Sequence, residues 1–126
     1  MTLEWRYTTR TGLGVLSLAG HLGAAAVPRF TGAVGWALAR GKGPVILDLA
    51  ELRGWSETGQ LAVAEAARRL AAEGRSLELA AVPEGSLVPD GAGPPVKVHT
   101  DLAAALAAHE DCGQEQREWR SDAWPE

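Results

Sequence analysis

The run Val45-Ile46-Leu47-Asp48-Leu49 constrains this chain more than any other segment. It is almost unbroken in apolar side chains and rich in β-strand formers, so it reads as a strand that must be covered on both faces. On either side lie stretches with helical spacing. Before it, Val27, Phe30, Val34 and Leu38 recur on one helical face, with Pro28 in the first turn and Gly41-Lys42-Gly43-Pro44 as a stop. After it, a helix is predicted from about Ser56 to Ala72, with Val63, Ala67 and Leu70 as its core stripe and Ala66 and Ala71 beside them. Glu65 is placed to pair with Arg68 and Arg69 on the solvent side, and Gly74 follows as the C-terminal glycine. Strand–helix–strand steps are right-handed and set their strands parallel, which makes the chain an α/β layer with helices packed on a sheet.

The remaining elements fit around this unit. Leu3 to Thr9 and Gly14 to Ala19 read as two strands close enough for a hairpin, with Gly12 supplying the turn. Leu77 to Val82 and Val96 to His99 read as two more strands, and Asp101 caps a last, alanine-rich helix from Leu102 to His109. Between them, Pro83 to Pro95 is crowded with proline and glycine and reads as a loop. The predicted order is β-β-α-β-α-β-(loop)-β-α, a mixed and mostly parallel sheet. Residues 1–109 form the domain, and 110–126 read as a polar tail with two unexpected tryptophans, Trp119 and Trp124.

Composition narrows the function. The chain has 126 residues, 46% hydrophobic and 22% charged, enough for one core. A net charge of -4 gives no general attraction to nucleic acid or anionic membranes. One cysteine, Cys112, rules out an internal disulfide. The first ten residues lack a signal-peptide core, and no apolar stretch reaches the length of a membrane span, so the expected location is the cytoplasm.

Four segments, taken in order, resemble the STAS domain family, named for sulphate transporters and anti-sigma factor antagonists. Leu16-Ser17-Leu18-Ala19-Gly20-His21-Leu22 is similar to the family's second strand and turn. Val45 to Leu49 is similar to its "VVLDLS" strand, and Ser56-Glu57-Thr58-Gly59 falls where the family has Asp-Ser-Ser/Thr-Gly at the start of the second helix. Val98 to Leu106 resembles the closing strand, turn and helix. The resemblance spans roughly Leu3 to Ala108 and implies a regulatory domain that binds a protein partner: an anti-sigma factor that is also a serine kinase, or another STAS protein. In antagonists the first serine of the motif is phosphorylated, which releases the partner. Here that position is Glu57, which has no hydroxyl. The Pro83–Pro95 loop stands where the family has a third helix, which is thus shortened or missing.

A helix N-terminus carries unpaired N–H groups and a partial positive charge. Ser56 is suited to accept one of those N–H bonds as N-cap. Glu57 then lies in the first turn, where an exposed carboxylate gains about 0.3–1 kcal/mol. A phosphoserine there would carry roughly -1.5 to -2 charges, so Glu57 matches its sign but not its full charge. Two readings follow: a lock in a state like the phosphorylated, partner-released form, or simply a favourable helix-start acid. Ser56 and Thr58 carry the hydroxyls of the motif and have two readings, as phosphoacceptors or as capping groups, of which capping comes first.

The candidate partner-binding residues are therefore Ser56, Glu57, Thr58 and Gly59, with Asp48 on the central strand and His21 at the end of the second. Asp48 has a structural alternative, bonding backbone N–H groups of the following loop. Trp55 is expected to pack under the corner, and Trp36, off the helical stripe, to flank the core or mark an interface. His21, His99 and His109 are dispersed, with no metal-ligand spacing among them or with Cys112. Gly41-Lys42-Gly43 lacks the pattern of a phosphate loop, and Ser17 lacks a nucleophile's context. No metal, no cofactor and no catalysis are expected. The alternative is a small-ligand-binding or scaffold STAS domain in a larger signalling or transport assembly, using strand ends near Asp48 and Ser56–Thr58.

Overall fold

The computed structural model describes residues 3–10, 12–40, 43–82, 97–109 and 116–120. The chain forms strands β1 (Glu4–Arg10) and β2 (Leu13–Leu22), a single 3-10 turn at Ala24–Ala26, helix α1 (Val27–Ala39), strand β3 (Val45–Trp55), helix α2 (Glu57–Ala72), strands β4 (Leu77–Ala80) and β5 (Lys97–His99), helix α3 (Leu102–Ala107) and strand β6 (Gln116–Arg120). The six strands among the described residues lie in one sheet, in the order β5-β4-β3-β2-β1-β6. The pairs β2/β3, β3/β4 and β4/β5 are parallel. The pairs β1/β2 and β1/β6 are antiparallel, so the sheet is mixed and mostly parallel.

The sequence of β3 explains the layering. Its alternate residues Val45, Leu47 and Leu49 point to one face, where they join Leu16, Leu18 and Leu79 from neighbouring strands. On this face α1 contributes Phe30, Ala33, Val34 and Ala37, and α2 contributes Val63, Ala66, Ala67 and Leu70. Ile46 points the other way, with Leu13, Val15 and Ala80, and there α3 covers it with Ala105, Leu102 and Leu106. A strand with helices on both sides has no solvent face to keep polar, hence the unbroken run.

Local signals fix the joints. Gly12 adopts φ +86° between β1 and β2, and Gly74 adopts φ +74° just after α2, both in the region that favours glycine. Pro28 opens α1, and Asp101 caps α3 by accepting a 2.8 Å bond from the Ala104 N–H. Arg75, buried after α2, closes the C-terminal end of α1. Its guanidinium donates to the Ala37 carbonyl at 2.8 Å and the Gly43 carbonyl at 2.7 Å. The Tyr7 hydroxyl joins it, donating to the Arg40 carbonyl at 3.1 Å. A cation satisfying the last carbonyls of a helix also complements its dipole.

The structure departs from the sequence reading in several places. The buried stripe of α1 is rotated toward Ala33 and Ala37, leaving Val27 and Leu38 only half-buried. Small alanines let the helix lie close to the sheet, which hydrophobic spacing alone does not reveal. Ala71 is exposed, and α3 ends at Ala107 rather than His109. Glu65 bonds Arg68 at 3.0 Å and not Arg69. Residues 116–120, read as part of a polar tail, return to the sheet as β6 beside β1, with Trp119 in register with Tyr7. An edge strand needs backbone pairing on one side only, so its mixed polar residues leave no period to read. Residues 110–115 and 121–126, with Cys112 and Trp124, lie outside the described residues, as do residues 83–96, which hold the expected loop Pro83–Pro95 and the expected strand start Val96. Trp36 is half-buried at the edge of the larger core, with the Trp5 ring 6.2 Å away and the Arg40 guanidinium 3.4 Å from its ring centre.

Candidate functional site

The parallel strands β2 and β3 end side by side, at Leu22 and Trp55. At this edge the chain turns directly into α2. The Ser56 N–H donates to the Leu22 carbonyl at 2.9 Å, tying the turn to the end of β2. The Ser56 side chain accepts from the Gly59 N–H at 3.1 Å, so it is the N-cap of α2. Gly59 is pressed against β2: a β-carbon there would stand 2.2 Å from the Leu22 carbonyl oxygen. Only glycine lets the first turn of α2 approach this closely.

Glu57 and Thr58 are exposed on that first turn, and Ser56 is half-covered. Glu57 is the only acid in the first turn of α2, at its partly positive end. His21 pairs in register with Gly54, and its ring lies over Gly54 and Gly23. A β-carbon on Gly23 would come within 3.1 Å of the ring and 4.0 Å of the Ser56 hydroxyl oxygen. The two glycines thus make room for His21 beside the motif. Trp55 is buried beneath the corner in the larger core, and its indole N–H has no hydrogen-bond partner among the described residues.

The structure brings Ser56, Glu57, Thr58, Gly59 and His21 together at one corner, but not Asp48. That residue lies near the start of β3, roughly 25 Å along the strand from the corner at ~3.3 Å per residue. Its carboxylate accepts from the Ser17 hydroxyl at 3.2 Å and from the Ala50 N–H at 3.1 Å. These bonds fall where the β2/β3 register shifts between Ser17 and Ala19, so Asp48 serves an irregularity of the sheet. Ala50 belongs to β3 itself, not to the following loop.

Two further features lie outside the sequence reading. Two of the three histidines converge: His99 and His109 each hydrogen-bond the buried Glu78 carboxylate through Nε2, at 2.7 Å and 3.0 Å. Burial of Glu78 pushes its pKa up, but the bonds and charges of His109 and His99 outweigh it and hold the carboxyl below its usual value. Residues 78, 99 and 109 are too far apart in sequence to suggest this meeting. Among the described residues no group of His, Cys, Asp or Glu is arranged to hold a metal ion. The second feature is an open groove of about 460 Å³ between α1 and α2, with Thr58 of the corner on its rim.

The family model described as "Mlab, STAS domain" matches residues 5–89, from β1 through β4 and the Ser56–Gly59 corner. The chain belongs to the STAS domain family. Among solved structures, the crystal structure of Mglu aligns with a TM-score of 0.53 at 27% identity, over 64% of this chain. Mglu in its native form aligns with a TM-score of 0.48 at 22% identity, over 58% of this chain and 22% of that one. This STAS chain spans only 20% of the length of the first of these. No curated protein sequence matches it. Membership of the family makes the chain a regulatory or scaffold domain of the kind that mediates protein–protein contacts. No helix among the described residues is long and apolar enough to cross a membrane.

Proposed function

We propose that this STAS domain is a cytoplasmic regulatory module of the anti-sigma factor antagonist kind, without catalysis, whose partner-binding surface is the Ser56–Gly59 corner and whose Glu57 holds that corner in the state that releases a kinase-type partner. The partner is an anti-sigma factor with serine-kinase activity, or another STAS protein. The observation that carries the reading is the exposed carboxylate of Glu57 on the first turn of α2, at the position that the sequence resemblance matches to the antagonists' phosphorylated serine. A fixed negative charge there imitates the sign of the phosphorylated, partner-released state. The hydroxyl of Ser56 is engaged with the Gly59 N–H, which supports a capping role for it.

A second reading rests on the place of Glu57 in the first turn of α2, where any exposed acid is favoured. It is a scaffold STAS domain held constitutively in a larger assembly, where the corner is a fixed contact and Glu57 only a favourable helix-start acid.

One experiment separates the two. Tagged wild type and Glu57→Ser are used to capture partners from host lysate, with and without ATP. The switch reading expects Glu57→Ser to gain a kinase-type partner and to lose it once ATP allows phosphorylation. Equal capture of the same partner by both forms, with no effect of ATP, would overturn it in favour of the constitutive contact.

A further inference from the structure

The groove between α1 and α2 has an apolar floor made by Phe30 and Val34 of α1 and Ala62 and Ala66 of α2. Leu61 borders it and is 64% exposed; Val98 is the other large hydrophobic side chain left exposed among the described residues. The rim from Thr58 to Arg69 follows one side of α2 for about three turns, roughly 16 Å at ~1.5 Å per residue.

The charges on this rim are unbalanced. Glu65 gives its carboxylate to Arg68. Arg69, half-buried at the groove, is left with no carboxylate partner among the described residues. Its guanidinium lies against α1 at Gly35, where even a β-carbon would be 3.8 Å away. A partly desolvated cation beside apolar surface favours an anionic group brought by a ligand. At the other end of the rim, Glu57 next to Thr58 disfavours one. The surface is therefore polarised along its length: apolar in the middle, cationic at the Arg69 end and anionic at the Glu57 end.

We propose that this groove takes an amphipathic helix of a protein partner, with apolar side chains against Leu61 and the α1–α2 floor and an acidic side chain on Arg69. The proposal rests on the protein-binding reading and names the surface and the partner chemistry. The match is a helix-in-groove contact, about three turns long, with one end of the partner helix acidic. Because Thr58 belongs to both the rim and the corner, a change of charge at the corner acts directly on the occupant.

The test is selection of helical peptides, about three to four turns long, from a display library against the full chain. The expected peptides carry an apolar i, i+3/i+4 stripe with Asp or Glu toward one end. Leu61→Asp is expected to weaken their binding at least about tenfold, since an exposed apolar anchor becomes a charge. Arg69→Glu is expected to weaken it similarly, and a Lys in place of the peptide's acid to restore it. Unchanged melting temperatures of both variants show that the fold is intact. No enrichment, or peptides that bind both variants as well as wild type, would overturn the proposal. So would binding to phosphatidylglycerol vesicles that Leu61→Asp abolishes while no peptide is selected, because the groove would then be a lipid contact. If the lysate partner captured by the tagged chain survives Leu61→Asp, the protein-binding reading stands and the groove is not its site.

Discussion

Replacing Gly59 by alanine tests whether the corner is built by close approach of α2 to β2. The added β-carbon would stand 2.2 Å from the Leu22 carbonyl oxygen and 2.9 Å from Leu22 Cγ. That carbonyl cannot retreat freely, because it accepts the 2.9 Å bond from the Ser56 N–H. The first turn of α2 must move instead. Overpacking of this kind costs about 1–3 kcal/mol, and a weakened Ser56–Leu22 bond adds about 0.5–1.5 kcal/mol. Alanine's better helix propensity returns at most about 1 kcal/mol. The net loss is about 1–3 kcal/mol, a fall in Tm on the order of 5–10 °C for a chain of this size. Gly32→Ala is the matched control. Gly32 is exposed inside α1, and a β-carbon there meets nothing within 4 Å. The same substitution should then raise stability by about 0.4–1 kcal/mol. Thermal and urea unfolding of both variants measure the difference. If Gly59→Ala is as stable as Gly32→Ala, the close-approach argument is wrong.

Other outcomes follow from the same geometry. The Glu78 carboxyl is held below its usual pKa, so its contribution is fully present above the unfolded-state value of about 4.5 and is lost as pH falls through the lower folded value. Urea titrations from neutral to strongly acid pH should show a shallower acid loss in Glu78→Gln than in wild type; equal slopes would refute the assignment. Arg75→Met removes the donors to the Ala37 and Gly43 carbonyls and should cost about 1.5–3 kcal/mol. Hydrogen exchange should show the loss concentrated at the end of α1, whereas a uniform loss would argue against a capping role.

Much of the fold was legible because its signals are local. The run Val45–Leu49 announces a strand covered on both faces, and β3 is covered by α1 and α2 on one side and α3 on the other. Ser56, Asp101, Gly12 and Gly74 mark caps and turns through their own backbone chemistry, which no distant contact needs to supply. The corner Ser56–Gly59 was visible for the same reason: an N-cap, a first-turn acid and a glycine follow one another in the chain.

What escaped the sequence depends on residues far apart in it. The strand β6 carries no apolar period, because pairing with β1 asks only for its backbone. Asp48 stood out as a carboxylate within an apolar strand, but only the β2/β3 register shows that it serves Ser17 and Ala50. Arg75 gives no sign that it closes a helix ending at Ala39, nor Glu78 that it gathers His99 and His109. Glu65 had two arginines within helical reach, and its bond to Arg68 leaves Arg69 facing the α1–α2 groove. The sequence by itself therefore determined the elements from β1 to α3, their order and the helix-start motif, since propensity, capping and hydrophobic period act within a few residues. The tertiary structure alone decided which distant side chains meet and which charge is left over, because those depend on strand register and helix packing across the whole sheet.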